Sequence, residues 1–280
     1  MATESVSVAV AVAREHGLRV ERPVVLRDVV NVIVDLAPSG VVARTSGLIG
    51  ERRGAFEHAA REIAVASFLV AAGAPVGRPA TELPPGPHVR DGHVITFWQL
   101  VDHDRARLDP VEAARALRVV HEALLDYRGP LPDYDFLAEI DGLLANDALA
   151  SPADLALLRA ARAELELPDA KLRPLHGDVW VGNVLATPEG HLWNDFENAC
   201  LGPLEYDLAA LEWKAQWDGD EAARATLRAY GPYDEQVFET VLPLHALFLT
   251  AWNLEVVRAK NVPLSVLEGK LAWWRRRAGT

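Results

Sequence analysis

Between His176 and Asn183 the sequence reads His-Gly-Asp-Val-Trp-Val-Gly-Asn, and Asp195 follows within Trp193-Asn194-Asp195-Phe196-Glu197. Moving a phosphoryl group requires a carboxylate beside the attacking hydroxyl, and oxygen ligands for the magnesium ions that neutralise a triphosphate. This segment supplies both. Asp178 is the candidate base, and Asn183, five positions on, and Asp195, twelve beyond that, are the candidate metal ligands. A carboxylate and an amide five apart do not share one face of a regular strand. They can converge from an irregular loop, the part of a scaffold that commonly carries chemistry.

The elements after the loop support that convergence. Asn183-Val184-Leu185-Ala186 and His191-Leu192-Trp193-Asn194 flank Thr187-Pro188-Glu189-Gly190, whose Pro and Gly read as a turn. The resulting hairpin brings Asn183 and Asp195 side by side at its open end. Two other readings stand beside this one. His176, Asp178, His191 and Asp195 have the ligand types of a metal hydrolase, although no pair at helical spacing such as H-E-x-x-H accompanies them. Alternatively, Asp178 and Asn183 are turn residues that satisfy backbone donors.

The segment from Leu175 to Leu211 resembles the catalytic region of the aminoglycoside phosphotransferase and choline kinase-like family of small-molecule kinases. The family pattern stands here as HGDVWVGN, NDFENA and Gly202-Pro203-Leu204-Glu205-Tyr206-Asp207-Leu208-Ala209, three motifs in order. The resemblance implies an α+β, two-lobed, protein-kinase-like fold, with a small antiparallel-sheet N-terminal lobe and a mainly helical C-terminal lobe. It implies Asp178 as catalytic base, Asn183 and Asp195 as magnesium ligands, and Asp207 as a brace for the catalytic loop.

The rest of the chain fits that order. Ser5 to Gly17 reads as a short helix ended by glycine, although Val6, Val8 and Val10 alternate. Pro23 to Leu36, the turn Pro38-Ser39-Gly40 and Val41-Val42-Ala43-Arg44 form an antiparallel meander. Phe56 to Ala72 is spaced as an amphipathic helix, and Asp91-Gly92 signals a hairpin before His93 to Trp98. Helices then dominate, launched by Asp109-Pro110 and Ser151-Pro152 and continuing from about Tyr206 to Trp217, Glu221 to Tyr230, Gln236 to Lys260 and Leu264 to Arg277. The boundary is expected near residues 99–104. Residues 1–100 would form a nucleotide-binding lobe, and residues 101–280 a lobe holding the catalytic loop and acceptor site. The resemblance puts adenine against the connecting segment, at Gln99, Leu100 and Val101. Trp98 reads as core, as does His121 on its helix. His176 reads as a loop brace.

Two departures from the family pattern stand out. Where a phosphate-gripping lysine is usual, the third strand offers Arg44, with Glu62 as its natural helix partner. No glycine lies between Leu26 and Val34, so backbone cradling of phosphate must be built differently there. Asn31 matches an Asn that the family often carries.

Composition sets the outer bounds. Half the residues are hydrophobic and 24% are charged, as in an ordinary soluble protein, and no charge-free apolar run approaches the ~20 residues of a membrane helix. One cysteine, Cys200, excludes an internal disulfide and suits a reducing, cytoplasmic setting. The net charge is -12, and all of it falls beyond residue 100: residues 1–100 hold 10 basic and 10 acidic side chains, the remainder 18 and 30. A nucleic-acid surface is therefore not expected. Acidic balance ordinarily means a solvated surface, and it also attracts a cationic acceptor. The expected function is transfer of the γ-phosphate of ATP, or GTP, to a hydroxyl of a small molecule such as an aminoglycoside, amino alcohol or sugar, with Mg2+. The alternative is a pseudokinase-like nucleotide-binding protein without turnover.

Overall fold

The computed structural model of the chain describes residues 2–28, 31–46, 54–133 and 136–279. They form two compact units: Met1–Leu131 with His176–Asp178 and Gly182–Ala199, and Pro132–Leu175 with Val179–Val181 and Cys200–Thr280. The fold is α+β, as expected.

The first unit is built on an antiparallel sheet of order β1-β2-β3-β5-β4, made of β1 (Arg22–Asp28), β2 (Asn31–Ala37), β3 (Val41–Ser46), β4 (His88–Arg90) and β5 (His93–Gln99). In β2 every second residue is buried, the period that covers one face of a sheet. That face receives helix α1 (Ala2–Glu15), whose Val8, Ala9, Val12 and Ala13 join Val32, Val34, Leu36, Ile95 and Phe97 in one core. The predicted Asp91-Gly92 turn joins β4 to β5, with both residues at positive φ as a tight hairpin turn requires. Helix α2 (Ala55–Ala71) sets Ile63 and Ala66 against Trp98, which is core as expected. Residues 29 and 30, at the centre of the glycine-free β1–β2 connection, lie outside the described residues.

The same unit holds the predicted hairpin, β7 (Val184–Thr187) with β8 (Gly190–Trp193), and helix α3 (Pro110–Leu124). Asp109 caps α3 by accepting from the amides of Val111 and Glu112. Trp193 is fully buried at the end of β8 and donates its indole N–H to the carbonyl of Ala113 on α3 at 3.0 Å. Helix and hairpin are thereby locked together.

The second unit is helical: α4 (Phe136–Leu144), α5 (Pro152–Ala163), α6 (Leu204–Trp217), α7 (Glu221–Tyr230), α8 (Glu235–Ala259) and α9 (Glu268–Arg277), with a short ribbon of β6 (Arg173–Leu175) and β9 (Cys200–Gly202). Its core joins Leu158, Tyr206, Trp213, Leu247, Leu254 and Trp274. Helix α8 is by length and composition apolar enough to cross a membrane, but 56% of its apolar window is buried inside the protein.

Because Trp193 ties the hairpin to α3, Trp193→Ala should destabilise the protein by about 3–5 kcal/mol, the usual cost of emptying a large aromatic site. The urea unfolding midpoint measures this, and a loss below about 1 kcal/mol would show that the site collapses without harm.

Candidate active site

The loop from His176 to Asn183 is irregular for identifiable reasons. Gly177 has φ +85, and a Cβ placed on it would come within 1.9 Å of the Asn198 carbonyl oxygen, so no other residue fits. His176 is fully buried. Its Nε2 donates to the Asn194 carbonyl at 3.1 Å, which leaves Nδ1 to accept from the Asp178 amide at 3.3 Å. The ring is thus a brace for the loop, as the sequence suggests. Asn183 turns its Nδ2 to Asp178, donating to its carbonyl at 3.0 Å and to its carboxylate Oδ2 at 3.1 Å. With the nitrogen so engaged, Oδ1 is the Asn183 atom that can face a cation.

The hairpin carries Asp195 to the same end. Val184 pairs with Trp193, and one step further the Asn194 amide donates to the Asn183 carbonyl at 2.9 Å. Asp195 itself adopts φ 73 and ψ 59, a left-handed conformation uncommon outside glycine and typical of residues whose placement is dictated by a site. Its Oδ1 is buried and receives no hydrogen bond, although Arg44 Nη1 stands 3.1 Å away as an ion-pair partner. A buried carboxylate oxygen that meets a cation at 3.1 Å sits where positive charge is favoured. Among the described residues no three His, Cys, Asp or Glu side chains converge on a metal site, which disfavours the hydrolase reading. His191 is instead spent on structure: Nε2 accepts from the Asp109 amide at 2.8 Å, and Nδ1 lies 3.3 Å from Glu112. An amide oxygen and one carboxylate form the sparse protein contribution typical of magnesium, which keeps waters and phosphate oxygens as its other ligands.

Arg44, on β3, stands among three carboxylates. Nη1 lies 2.6 Å from Glu62 of α2 and Nη2 lies 2.5 Å from Glu197, with Asp195 at the distance given above. The Asn31 amide, with its oxygen toward the guanidinium, accepts from Nη2 at 2.6 Å and Nε at 3.0 Å. Arg61 Nε donates to the Glu197 carbonyl at 3.0 Å, which steadies the third carboxylate. The Arg44–Glu62 pairing agrees with the sequence reading. Glu197 and Asn31 as its further partners were not foreseen, and the only hint of Glu197 was its place two residues after Asp195. Burial lowers the tendency of Arg44 to hold its proton, but Asp195, Glu197 and Glu62 outweigh this and raise its pKa, so the guanidinium stays charged. Burial pushes the Glu62 carboxyl up to about 8 against the downward pull of Arg44, and Asp195 and Glu197 add to the rise.

Two amides of the connecting segment are engaged within the first unit. The Gln99 amide donates to the Arg78 carbonyl and the Leu100 amide to the Gly40 carbonyl, at 2.9 and 2.8 Å, so both are used within the protein. The Val101 carbonyl lies 2.9 Å from Nδ1 of His103. His121 is buried in α3. Asp207 is fully buried in the first turn of α6, in the second unit. Trp213 and Trp217 pack together and on Trp273.

Residues 17–241 match the model of the phosphotransferase enzyme family. The chain belongs to that family. Solved structures with a similar fold include a choline/ethanolamine kinase family protein from Mesorhizobium loti, at 18% identity and TM-score 0.69, covering 100% of this chain and 96% of that one. An amicoumacin kinase in complex with AMP-PNP, Ca2+ and Ami is 12% identical with TM-score 0.67, covering 95% and 91%. The GDP complex of an aminoglycoside 2'-phosphotransferase-IIIa is 15% identical with TM-score 0.65, covering 95% and 97%. No curated protein sequence matches significantly. In this phosphotransferase family member the fold is thus that of small-molecule kinases.

Arg44→Met should cost about 3–5 kcal/mol, because it removes the counter-charge that Glu62, Asp195 and Glu197 share. Arg44→Lys keeps the charge but not the fork, and should fall between the variant and the natural chain. Equal urea midpoints for all three would show that the ion-pair cluster contributes nothing to stability.

Proposed function

We propose that this family member transfers the γ-phosphoryl group of ATP, with GTP as an alternative donor, to a hydroxyl of a small molecule, with Mg2+ as companion ion. The observation that carries the reading is the arrangement at the hairpin's open end: Asn183 turned to Asp178, and a left-handed Asp195 whose buried Oδ1 already faces a cation, Arg44, at 3.1 Å. Bound magnesium would neutralise phosphate charge and favour in-line transfer. Asn183 Oδ1 and the Asp195 carboxylate would hold it. Asp178 would orient the acceptor hydroxyl and take its proton, its carboxylate kept in one orientation by Asn183 Nδ2. Arg44 would steady the phosphates, oriented by Glu62 and by Glu197.

Nucleotide binding is assigned to residues 1–100, with Gln99, Leu100 and Val101 at adenine, and the acceptor to residues 101–280. Asp207 is assigned the bracing role. The acceptor class follows the relatives, whose names specify choline or ethanolamine, amicoumacin and aminoglycosides. The single buried cysteine suits a cytoplasmic setting. One observation favours the alternative of nucleotide binding without turnover: Arg44 sits 3.1 Å from Asp195, where it competes with a cation for that carboxylate.

Asp178→Asn separates the two readings. If Asp178 serves as base, turnover should fall by about 10² to 10⁴ while magnesium-nucleotide affinity stays within a few-fold. ADP release measured against a panel of hydroxylated metabolites and antibiotics gives the answer, and full turnover in the variant removes Asp178 from the role.

Asp195→Ala makes a claim about the ion. Nucleotide binding should lose its magnesium dependence, because the carboxylate that neutralises the cation is gone. Melting-temperature shifts with nucleotide, with and without magnesium, report this directly; an unaltered magnesium effect would refute the assignment.

A further inference from the structure

Within the first unit, every nitrogen of the Arg44 guanidinium already has an acceptor. Nη1 faces Glu62 at 2.6 Å and Asp195 at 3.1 Å, Nη2 donates to Glu197 at 2.5 Å and to the Asn31 oxygen at 2.6 Å, and Nε donates to that same oxygen at 3.0 Å. These five contacts match the five N–H groups of an arginine fork. A phosphate oxygen therefore gains a donor from Arg44 only by displacing one of the partners. The partners are not equally held. Glu62 is 2% exposed on helix α2, and Asn31 is fixed in the ladder of β2 with β3. Glu197 makes the shortest contact, and its carbonyl is held by Arg61 Nε at 3.0 Å. Asp195 makes the longest contact and is 28% exposed. It is also the carboxylate assigned to magnesium.

We infer that Arg44 and Asp195 select the magnesium complex of the nucleotide over the metal-free nucleotide: Asp195 passes from Arg44 to the ion, and the Nη1 N–H so released takes a phosphate oxygen. This rests on the phosphotransferase reading and deepens it by naming the form of the donor that the site accepts. Ion and guanidinium compete for one carboxylate, so each half of the complex binds against a loss when it comes alone. The ion strips Arg44 of a partner, and a metal-free phosphate must break an intact contact to reach the fork. Arriving together, each half supplies what the other removes, which is a positive coupling between metal and nucleotide.

The test measures the two halves separately on the full chain. Metal-free nucleotide is a non-hydrolysable ATP analogue titrated by calorimetry in EDTA. Metal alone is Mn2+, which takes the same oxygen ligands and is counted by its paramagnetic resonance signal. Asp195→Asn keeps the shape and removes the charge that holds Nη1, so the metal-free analogue should bind about fivefold or more tightly than it does to the natural chain. Removing a repelling charge would also strengthen phosphate binding, and the Arg44→Met background separates the two causes. There the gain from Asp195→Asn should vanish, whereas simple repulsion would give the same gain with or without Arg44. Arg44→Met alone should bind Mn2+ about fivefold or more tightly and the metal-free analogue more weakly, opposite signs that a general loss of structure would not produce. Arg44→Gln, which keeps a donor for Glu62, replaces Arg44→Met if that variant does not fold. A gain below about fivefold in Asp195→Asn, an equal gain in the double variant, or Mn2+ affinity raised less than about fivefold in the Arg44 variant overturns the inference. The melting shift of the natural chain with magnesium-nucleotide stays a separate readout: its absence sinks the phosphotransferase reading, whereas its presence without the Asp195→Asn gain sinks only this one.

Discussion

The guanidinium of Arg44 is the interaction on which the first unit's chemistry depends. Glu62 comes from helix α2, Asp195 and Glu197 follow the hairpin, and Asn31 lies on the neighbouring strand β2, so three separated stretches of sequence meet on one side chain. Three carboxylates at such range repel one another in a poorly hydrated setting, and without a cation the arrangement would open. A lysine ammonium is a point charge with three donors, whereas the arginine fork presents its N–H groups in a plane and in fixed directions. The fork of Arg44 thereby reaches the additional partners Glu197 and Asn31. Arginine, Glu197 and Asn31 form one consistent set.

The fold was legible where local chemistry is strong. Glycine or Asp-Gly at a turn, proline at the start of a helix and alternation in β2 each act within a few residues, and the elements they announce appear within a residue or two of the expected places. Helix α1 shows the limit. Its Val6, Val8 and Val10 fit a strand as well as a helix, and the sheet face that buries Val8, Ala9, Val12 and Ala13 decides the outcome. The β6–β9 ribbon was not foreseen at all, because each of its three-residue strands is too short to carry a period and is defined only by the other. At the site, the pairing of Arg44 with Glu62 could be read from the resemblance. Glu197 could not, because its reach to Arg44 depends on the hairpin's closure and on the left-handed turn at Asp195, neither of which has a periodic signature.

That turn explains why the site sits where regular structure stops. A β-hairpin fixes the separation of its ends well but points successive side chains to opposite faces. Continuing as a strand past Trp193, Asp195 would follow that alternation. The left-handed step at φ 73 re-aims it toward Arg44, and the positive φ of Gly177 does the corresponding work on the loop before Asp178. The left-handed aspartate costs conformational energy of order 1 kcal/mol or more, glycine takes positive φ without that cost, and both are held by rigid neighbours: Trp193 locked to α3, and His176 bonded to Asn194. The stiffness of the hairpin therefore has a purpose beyond stability. If Trp193 were loosened, the strained aspartate would relax first, and Arg44 would follow it, since the guanidinium is shared among groups that only the closed hairpin brings together. Site geometry and core packing are in this respect one constraint, exerted through the single residue, Asn194, between Trp193 and Asp195.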